Sequence, residues 1–132
     1  MTDKRPRILV VDDDVILLHA LSQTLLHSLE TLIVESVTSG SAALARLHER
    51  PYDLVLSDIK MPNMDGLTLL REVKGIDRNL PVVLMTGQVH SALAVEAANL
   101  GAAEVFSKPL DRARLIVTLQ RLLTCRVIEG VP

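Results

Sequence analysis

Three consecutive carboxylates, Asp12, Asp13 and Asp14, interrupt the apolar run of residues 8–11, and a fourth, Asp58, closes another apolar run at residues 53–57. Thr86 ends a third run, and Ser107-Lys108 ends a fourth. Carboxylates brought close together repel, and they need a cation or a shared proton. An all-oxygen set with access to water suits a hard divalent ion, and Mg²⁺ commonly takes one or two carboxylates plus phosphate oxygens. A carboxylate is also a nucleophile towards a phosphoryl group and forms an aspartyl-phosphate. Metal, ammonium and hydroxyl groups then stabilise charge on the transferring oxygens, which is most of what phosphoryl transfer asks of a protein. No Cys/His cluster has spacing suited to zinc. His19, His27, His48 and His90 read as surface or boundary residues, neither ligands nor phospho-donors.

The elements that must position these groups alternate along the chain. Strands are expected at residues 8–11, 32–36, 53–57, 82–86 and 103–107. Helices are expected at 15–29, 41–49, 66 to about 75, 91–100 and 111 to about 124. The first helix carries Val15, Leu18, Leu21, Leu25, Leu26 and Leu29 at three- and four-residue steps. Strands apolar on both faces and joined by helices indicate an α/β fold with a parallel sheet covered on both sides. Right-handed crossovers leave a doubly wound three-layer sandwich as the simplest topology. In such a sheet, ligands bind outside the carboxyl ends of the strands. Asp12, Asp13, Asp58, Thr86 and Lys108 all stand at those ends.

Composition narrows the class. The 132 residues fit a single domain with a core at about 7–124, and residues 125–132 read as a linker or domain edge. Apolar residues make up 48% of the chain while Tyr52 and Phe106 are the only aromatics, so the core must be aliphatic. A net charge of -2 supplies no field that would steer this domain to nucleic acid or an anionic membrane. One cysteine, Cys125, cannot form an internal disulfide, which suits a reducing compartment; it reads as a packing residue. No apolar run approaches a membrane span, residues 1–7 do not resemble a signal peptide, and the cytoplasm is the expected location.

The segments VVDDD (10–14), DLVLSDIKMPNMDG (53–66), PVVLMTG (81–87) and FSKPL (106–110) resemble, in order and spacing, the receiver domains of bacterial two-component response regulators. The resemblance runs over residues 7 to about 124. It implies a five-stranded (βα)5 flavodoxin-like sandwich with strand order 2-1-3-4-5. It also implies that Asp58 accepts a phosphoryl group from a sensor histidine kinase or phosphotransfer protein. Asp13 resembles the direct Mg²⁺ ligand, Asp12 the carboxylate that acts partly through water, and the Lys60 backbone carbonyl a further ligand. Thr86 resembles the switching hydroxyl, Lys108 the ammonium that pairs with the phosphoryl oxygen, and Gly87 the residue that keeps the pocket open. Lys108-Pro109 is expected to be cis, which proline makes affordable. The resemblance leaves open a homodimer through helix 4, strand 5 and helix 5.

Local readings stand beside these roles. Asp14 directly precedes a helix and reads as its N-cap. Asp65-Gly66 shapes a turn and starts a helix. Asp58 read alone could merely cap a segment, Thr86 is a common strand residue, and Lys108 alone would be a surface charge. The sequence departs from the family where an aromatic usually stands three residues before the lysine: that position is Val105. Phe106 follows it and by alternation faces the other side of the sheet. Lys60 and Gln88, two residues after Asp58 and Thr86, flank the path of a hydrolytic water. The long Lys60 side chain is expected to shield the acyl phosphate. A phosphohydrolase would want a general acid where Lys60 stands, and a non-phosphorylated scaffold is favoured by Val105 alone. PVVLMTG and AVEAANLGA also resemble receivers of enhancer-binding transcription regulators.

Overall fold

β-branched and leucine-rich runs form the sheet, and polar N-caps start the helices that cover it. The computed structural model describes residues 5–29 and 31–129. Along the chain these give β1 (Arg7–Val11), α1 (Val15–Ser28), β2 (Ile33–Val37), α2 (Gly40–Glu49) and β3 (Leu54–Asp58). They continue with α3 (Gly66–Ile76), β4 (Val82–Thr86), α4 (Ser91–Asn99), β5 (Glu104–Ser107) and α5 (Arg112–Glu129). The strands form one parallel sheet in the order β2-β1-β3-β4-β5, as the resemblance implies. Every residue of β3 and β4 is buried, as central strands between two helical layers must be.

Strand alternation divides the core in two. Leu9, Val11, Val55, Val82 and Leu84 face α2, α3 and α4, where Ala43, Leu47, Leu69, Leu70, Val73 and Ala97 meet them. Ile8, Val10, Leu54, Leu56, Val83 and Met85 face α1 and α5, against Leu18, Leu21, Leu25, Leu115, Leu119 and Leu123. Each fully buried leucine contributes about 1.5–3 kcal/mol by leaving water. Val105 packs on the first side and Phe106 on the second. Val15 and Leu26, expected on the apolar stripe of α1, are exposed.

Each helix enters from the carboxyl ends of the strands through a side-chain cap. Asp14 accepts from the Ile16 and Leu17 N–H groups at 3.1 Å, and Ser39 from Ala42 N–H at 3.1 Å. Asp65 accepts from Thr68 N–H at 2.8 Å, His90 Nδ1 from Leu93 N–H at 3.2 Å, and Asp111 from Arg114 N–H at 3.1 Å. Such caps satisfy amides that have no partner within the helix.

Further local expectations are corrected, and β3 runs from Leu54 to Asp58, one residue later than expected. β2 starts one residue late because Leu32 N–H bonds Leu29 O at 3.1 Å instead of joining the ladder, while Val37 pairs with Val11. α5 continues past residue 124 to Glu129, because Arg126 reaches back across the molecule. Its Nη1 donates to Asn79 O at 3.0 Å, and its Nη2 to Asp77 Oδ2 at 3.0 Å and Tyr52 O at 3.2 Å. Residues 130–132 of the expected linker lie outside the described residues. Cys125 is exposed, not packed, because Leu115, Leu119 and Leu123 take the inward face of α5 at four-residue steps. Among the described residues, no helix is long and apolar enough to cross a membrane.

Candidate functional site

The parallel register carries the ends of β1, β3, β4 and β5 to one edge. Asp12 follows β1 and is fully buried. Its backbone N–H donates to Val37 O at 3.2 Å, and its Oδ1 accepts from Asp14 N–H at 2.9 Å. Asp58 is the last residue of β3 and is 6% exposed, with Ile59 N–H donating to Met85 O at 2.9 Å just beyond it. Asp13 is exposed at the mouth. Carboxylate oxygens from Asp12, Asp13 and Asp58 lie within 4.8 Å of one another, close enough to share one cation. Asp14 belongs to the α1 cap.

Lys108 enters this cluster from the end of β5. Its N–H donates to Thr86 O at 2.8 Å, which ties its backbone to the end of β4. Its Nζ stands 3.4 Å from Asp12 Oδ2 and 3.3 Å from Asp58 Oδ1, so one ammonium bridges two carboxylates from different strands. Burial pushes the Asp12 carboxyl above its ordinary range; the Asp14 N–H pulls it down, the Asp58 charge pushes it up, and Lys108 pulls it down again. Three carboxylates against one ammonium leave negative charge uncompensated, and the donors are all oxygen. That set fits a hard divalent cation.

Thr86 is buried at the end of β4 and its Oγ1 accepts from Gln88 N–H at 3.4 Å. The structure therefore brings Asp12, Asp13, Asp58 and Lys108 into one cluster and places Thr86 beside it through the Lys108 backbone. The Lys60 side chain is exposed, on the loop that follows Asp58. Gly87 is exposed, and a Cβ there would meet no protein atom within 4 Å. The Lys108-Pro109 peptide is cis, as expected. Val105 is half-buried. Phe106 is 1% exposed on the opposite face, with the Arg114 guanidinium 4.6 Å from its ring centre.

Two constellations escaped the sequence reading. Glu35 on edge strand β2 accepts from Tyr52 Oη at 2.6 Å and Arg46 at 2.9 Å, with Arg7 paired to its other oxygen and Arg50 at 3.5 Å. A single acid within the apolar run of β2 was the available signal. Arg126 is the second, and nothing in its neighbourhood marks it. All four histidines are exposed.

Comparison with known proteins agrees with this geometry. The sequence model of the family described as the response regulator receiver domain matches residues 8–120. The transcriptional regulatory protein ZraR of Escherichia coli O157:H7 is 39% identical over 126 residues, covering 93% of this chain and 27% of that protein. The C4-dicarboxylate transport transcriptional regulatory protein DctD of Rhizobium meliloti (strain 1021) is 39% identical over 116 residues, covering 88% and 25%. The chain thus spans about a quarter of the length of the curated relatives it matches. Among solved structures, a CheY-like response regulator receiver domain protein from Methanospirillum hungatei JF-1 superposes with a TM-score of 0.87 at 30% identity. That match covers 95% of this chain and 98% of the other.

Proposed function

The chain belongs to the response regulator receiver domains of two-component systems, a family whose general function is phosphorylation by a kinase, and on that premise we propose that Asp58 is its phospho-acceptor. Receiver domains interact with histidine kinases and generally bind Mg²⁺ at an acidic pocket. The observation that carries the assignment is Lys108 Nζ standing between Asp12 and Asp58, with a third carboxylate alongside.

In this reading an Asp58 carboxylate oxygen attacks the phosphorus of a phosphohistidine in line. The P–O bond forms as the P–N bond breaks, and the imidazole leaves. Asp12, Asp13, Asp58 and the Lys60 backbone carbonyl would hold Mg²⁺. The ion supplies positive charge that offsets the carboxylates and the transferring oxygens. Lys108 pairs with a phosphoryl oxygen, and Thr86 leaves the Gln88 N–H to donate its hydroxyl to another. Both moves bias a two-state surface formed by α4, β5 and α5 and so alter partner binding. With Val105 in place of an aromatic, coupling runs through the β5 backbone, where Lys108 N–H holds Thr86 O. The domain also hydrolyses its own acyl phosphate. The whole chain is one receiver domain, it works in the cytoplasm, and the same α4–β5–α5 surface is available for a homodimer. The lengths and printed names of the relatives support an output in transcriptional regulation, with nucleic-acid contact outside this domain.

The test is incubation with a phosphohistidine donor and Mg²⁺. Stoichiometric acid-labile labelling that Asp58→Asn abolishes is expected. Multiple turnover on an external phosphate ester would make the protein a phosphohydrolase, and absence of any labelling would make it a scaffold.

A further inference from the structure

Gly40 is the first residue of α2 and is buried, yet it belongs to neither the acidic cluster nor a tight turn. A Cβ on Gly40 would lie 2.7 Å from Met64 Sδ, 2.9 Å from Met64 Cγ and 3.1 Å from Met64 Cβ. The Met64 side chain therefore fills the space that any side chain at position 40 would need. Met64 lies on the loop between β3 and α3, and it packs there against the core beneath α2 and α3.

That loop is held at both ends. At its start, Ile59 N–H donates to Met85 O at 2.9 Å. At its end, Gly66 N–H returns to Ile59 O at 2.7 Å, and a Cβ on Gly66 would strike Asp58 O at 2.4 Å. Between these ends the backbone turns tightly. Met64 N–H donates to Pro62 O at 2.8 Å around Asn63, whose φ is +68°. A three-residue hydrogen-bonded turn with a positive φ at its centre is rare and strained. Strain of this kind persists only where the surroundings over-determine it. Met64 in its recess anchors the turn to α2, while Ile59 and Met61, both buried in the same core, hold the residues on either side of Lys60.

The Lys60 carbonyl stands inside this bracket, between the paired backbone of Ile59 and the anchored turn. We propose that seating Met64 in the Gly40 recess positions the Lys60 carbonyl for the divalent ion, so that Gly40 and Met64 are positioning residues for metal binding. The proposal rests on the acidic cluster being the Mg²⁺ site argued above. It assigns a role to residues outside the cluster of three carboxylates. A merely structural Gly40 behaves differently: alanine is the better helix former in the first turn, and metal affinity would not change.

The test is Mg²⁺ titration of the isotope-labelled chain, followed by the amide shifts of residues 12, 13 and 58–61, with urea midpoints measured in chelator. Gly40→Ala is expected to weaken Mg²⁺ binding about ten-fold, the scale seen when a residue that orients a ligand is disturbed. Met64→Ala is expected to weaken it similarly, and Met64→Leu, which refills the recess, to restore it. In the double variant Gly40→Ala/Met64→Ala, the loss should not exceed that of Met64→Ala, because Met64 Sδ and Cγ, the two atoms closer than 3.0 Å, are gone and only the Cβ at 3.1 Å remains. Gly75→Ala, whose Cβ meets nothing within 4 Å, is the control for altered helix propensity.

Unchanged affinity in Gly40→Ala or in Met64→Ala overturns the proposal, as do additive losses in the double variant. If Gly40→Ala shows no cooperative urea transition, the comparison of Met64→Ala with Met64→Leu decides alone. A wild-type chain that binds no Mg²⁺ instead overturns the metal site itself, which keeps the two failures distinct.

Discussion

Lys108→Met removes the ammonium that separates Asp12 from Asp58 while keeping an unbranched apolar stem. The two ion pairs it deletes, at 3.3 and 3.4 Å, are each about 5 kcal/mol of Coulomb attraction at an effective dielectric of ~20. The Lys108 side chain is 25% exposed, so solvent and salt take back much of that. Removing one partner of a partly buried pair then costs about 2–3 kcal/mol net. What remains is carboxylate repulsion across at most 4.8 Å, about 3.5 kcal/mol at the same dielectric. In chelator at neutral pH the urea midpoint should fall by roughly 1–2 M. The sign of the pH dependence follows from Asp12, whose folded pKa lies above its ordinary 3.8. A group raised in this way contributes stability that is complete below 3.8 and is lost as pH rises through the folded value. Deleting Lys108 removes a downward pull on Asp12, so the deficit should open from acid towards neutral pH and close again on acidification. Saturating Mg²⁺ should also close it, and the variant should bind Mg²⁺ more tightly because no ammonium competes for the same oxygens. A variant as stable as wild type in chelator at neutral pH, or a deficit independent of pH, would refute the electrostatic account.

Glu35→Ala strips the acceptor from the buried Tyr52 hydroxyl and the partner from Arg7, and should cost about 2–4 kcal/mol by urea denaturation. Burial pushes the Glu35 carboxyl up, but hydrogen bonds from Tyr52 and Arg7 and the Arg7 and Arg50 charges outweigh it and hold the group below 4.5. Its stability is therefore present above 4.5 and lost as pH falls through the folded value, so Glu35→Gln and wild type should converge in acid; parallel curves would contradict this. Lys60→Ala uncovers the path of water to the acyl phosphate and should shorten the life of the phosphorylated form several-fold. An unchanged decay rate would remove Lys60 from that role.

Much of the site was legible because its chemistry sits on local signals. Asp12, Asp58, Thr86 and Lys108 each end a short apolar run, and a parallel sheet must bring such ends to one edge. Asp14 was readable as a cap and Asp65-Gly66 as a helix start, because capping reaches only two or three residues along the chain. The end of α5 was not readable, since Arg126 extends the helix by bonding Tyr52 O, 74 residues away. The Glu35 hub was hidden for the same reason: its partners come from β1 (Arg7) and from the end of α2 and the segment after it (Arg46, Arg50, Tyr52), 11 to 28 residues away along the chain.

The residue types and their order along the chain by themselves determined the alternation of strands and helices, the sheet they must form, and which side chains end up at its carboxyl edge. Hydrophobic periodicity and capping act over a few residues, so they can be read without a fold. Only the tertiary structure decided that one ammonium stands between two carboxylates, Lys108 and Asp12 lying 96 residues apart. It also decided that Asp13 faces solvent while Asp12 is sealed, and that Met64 occupies the space Gly40 leaves. Those outcomes depend on distances of a few tenths of an ångström set by loop and side-chain packing, and close packing is a property of the assembled core.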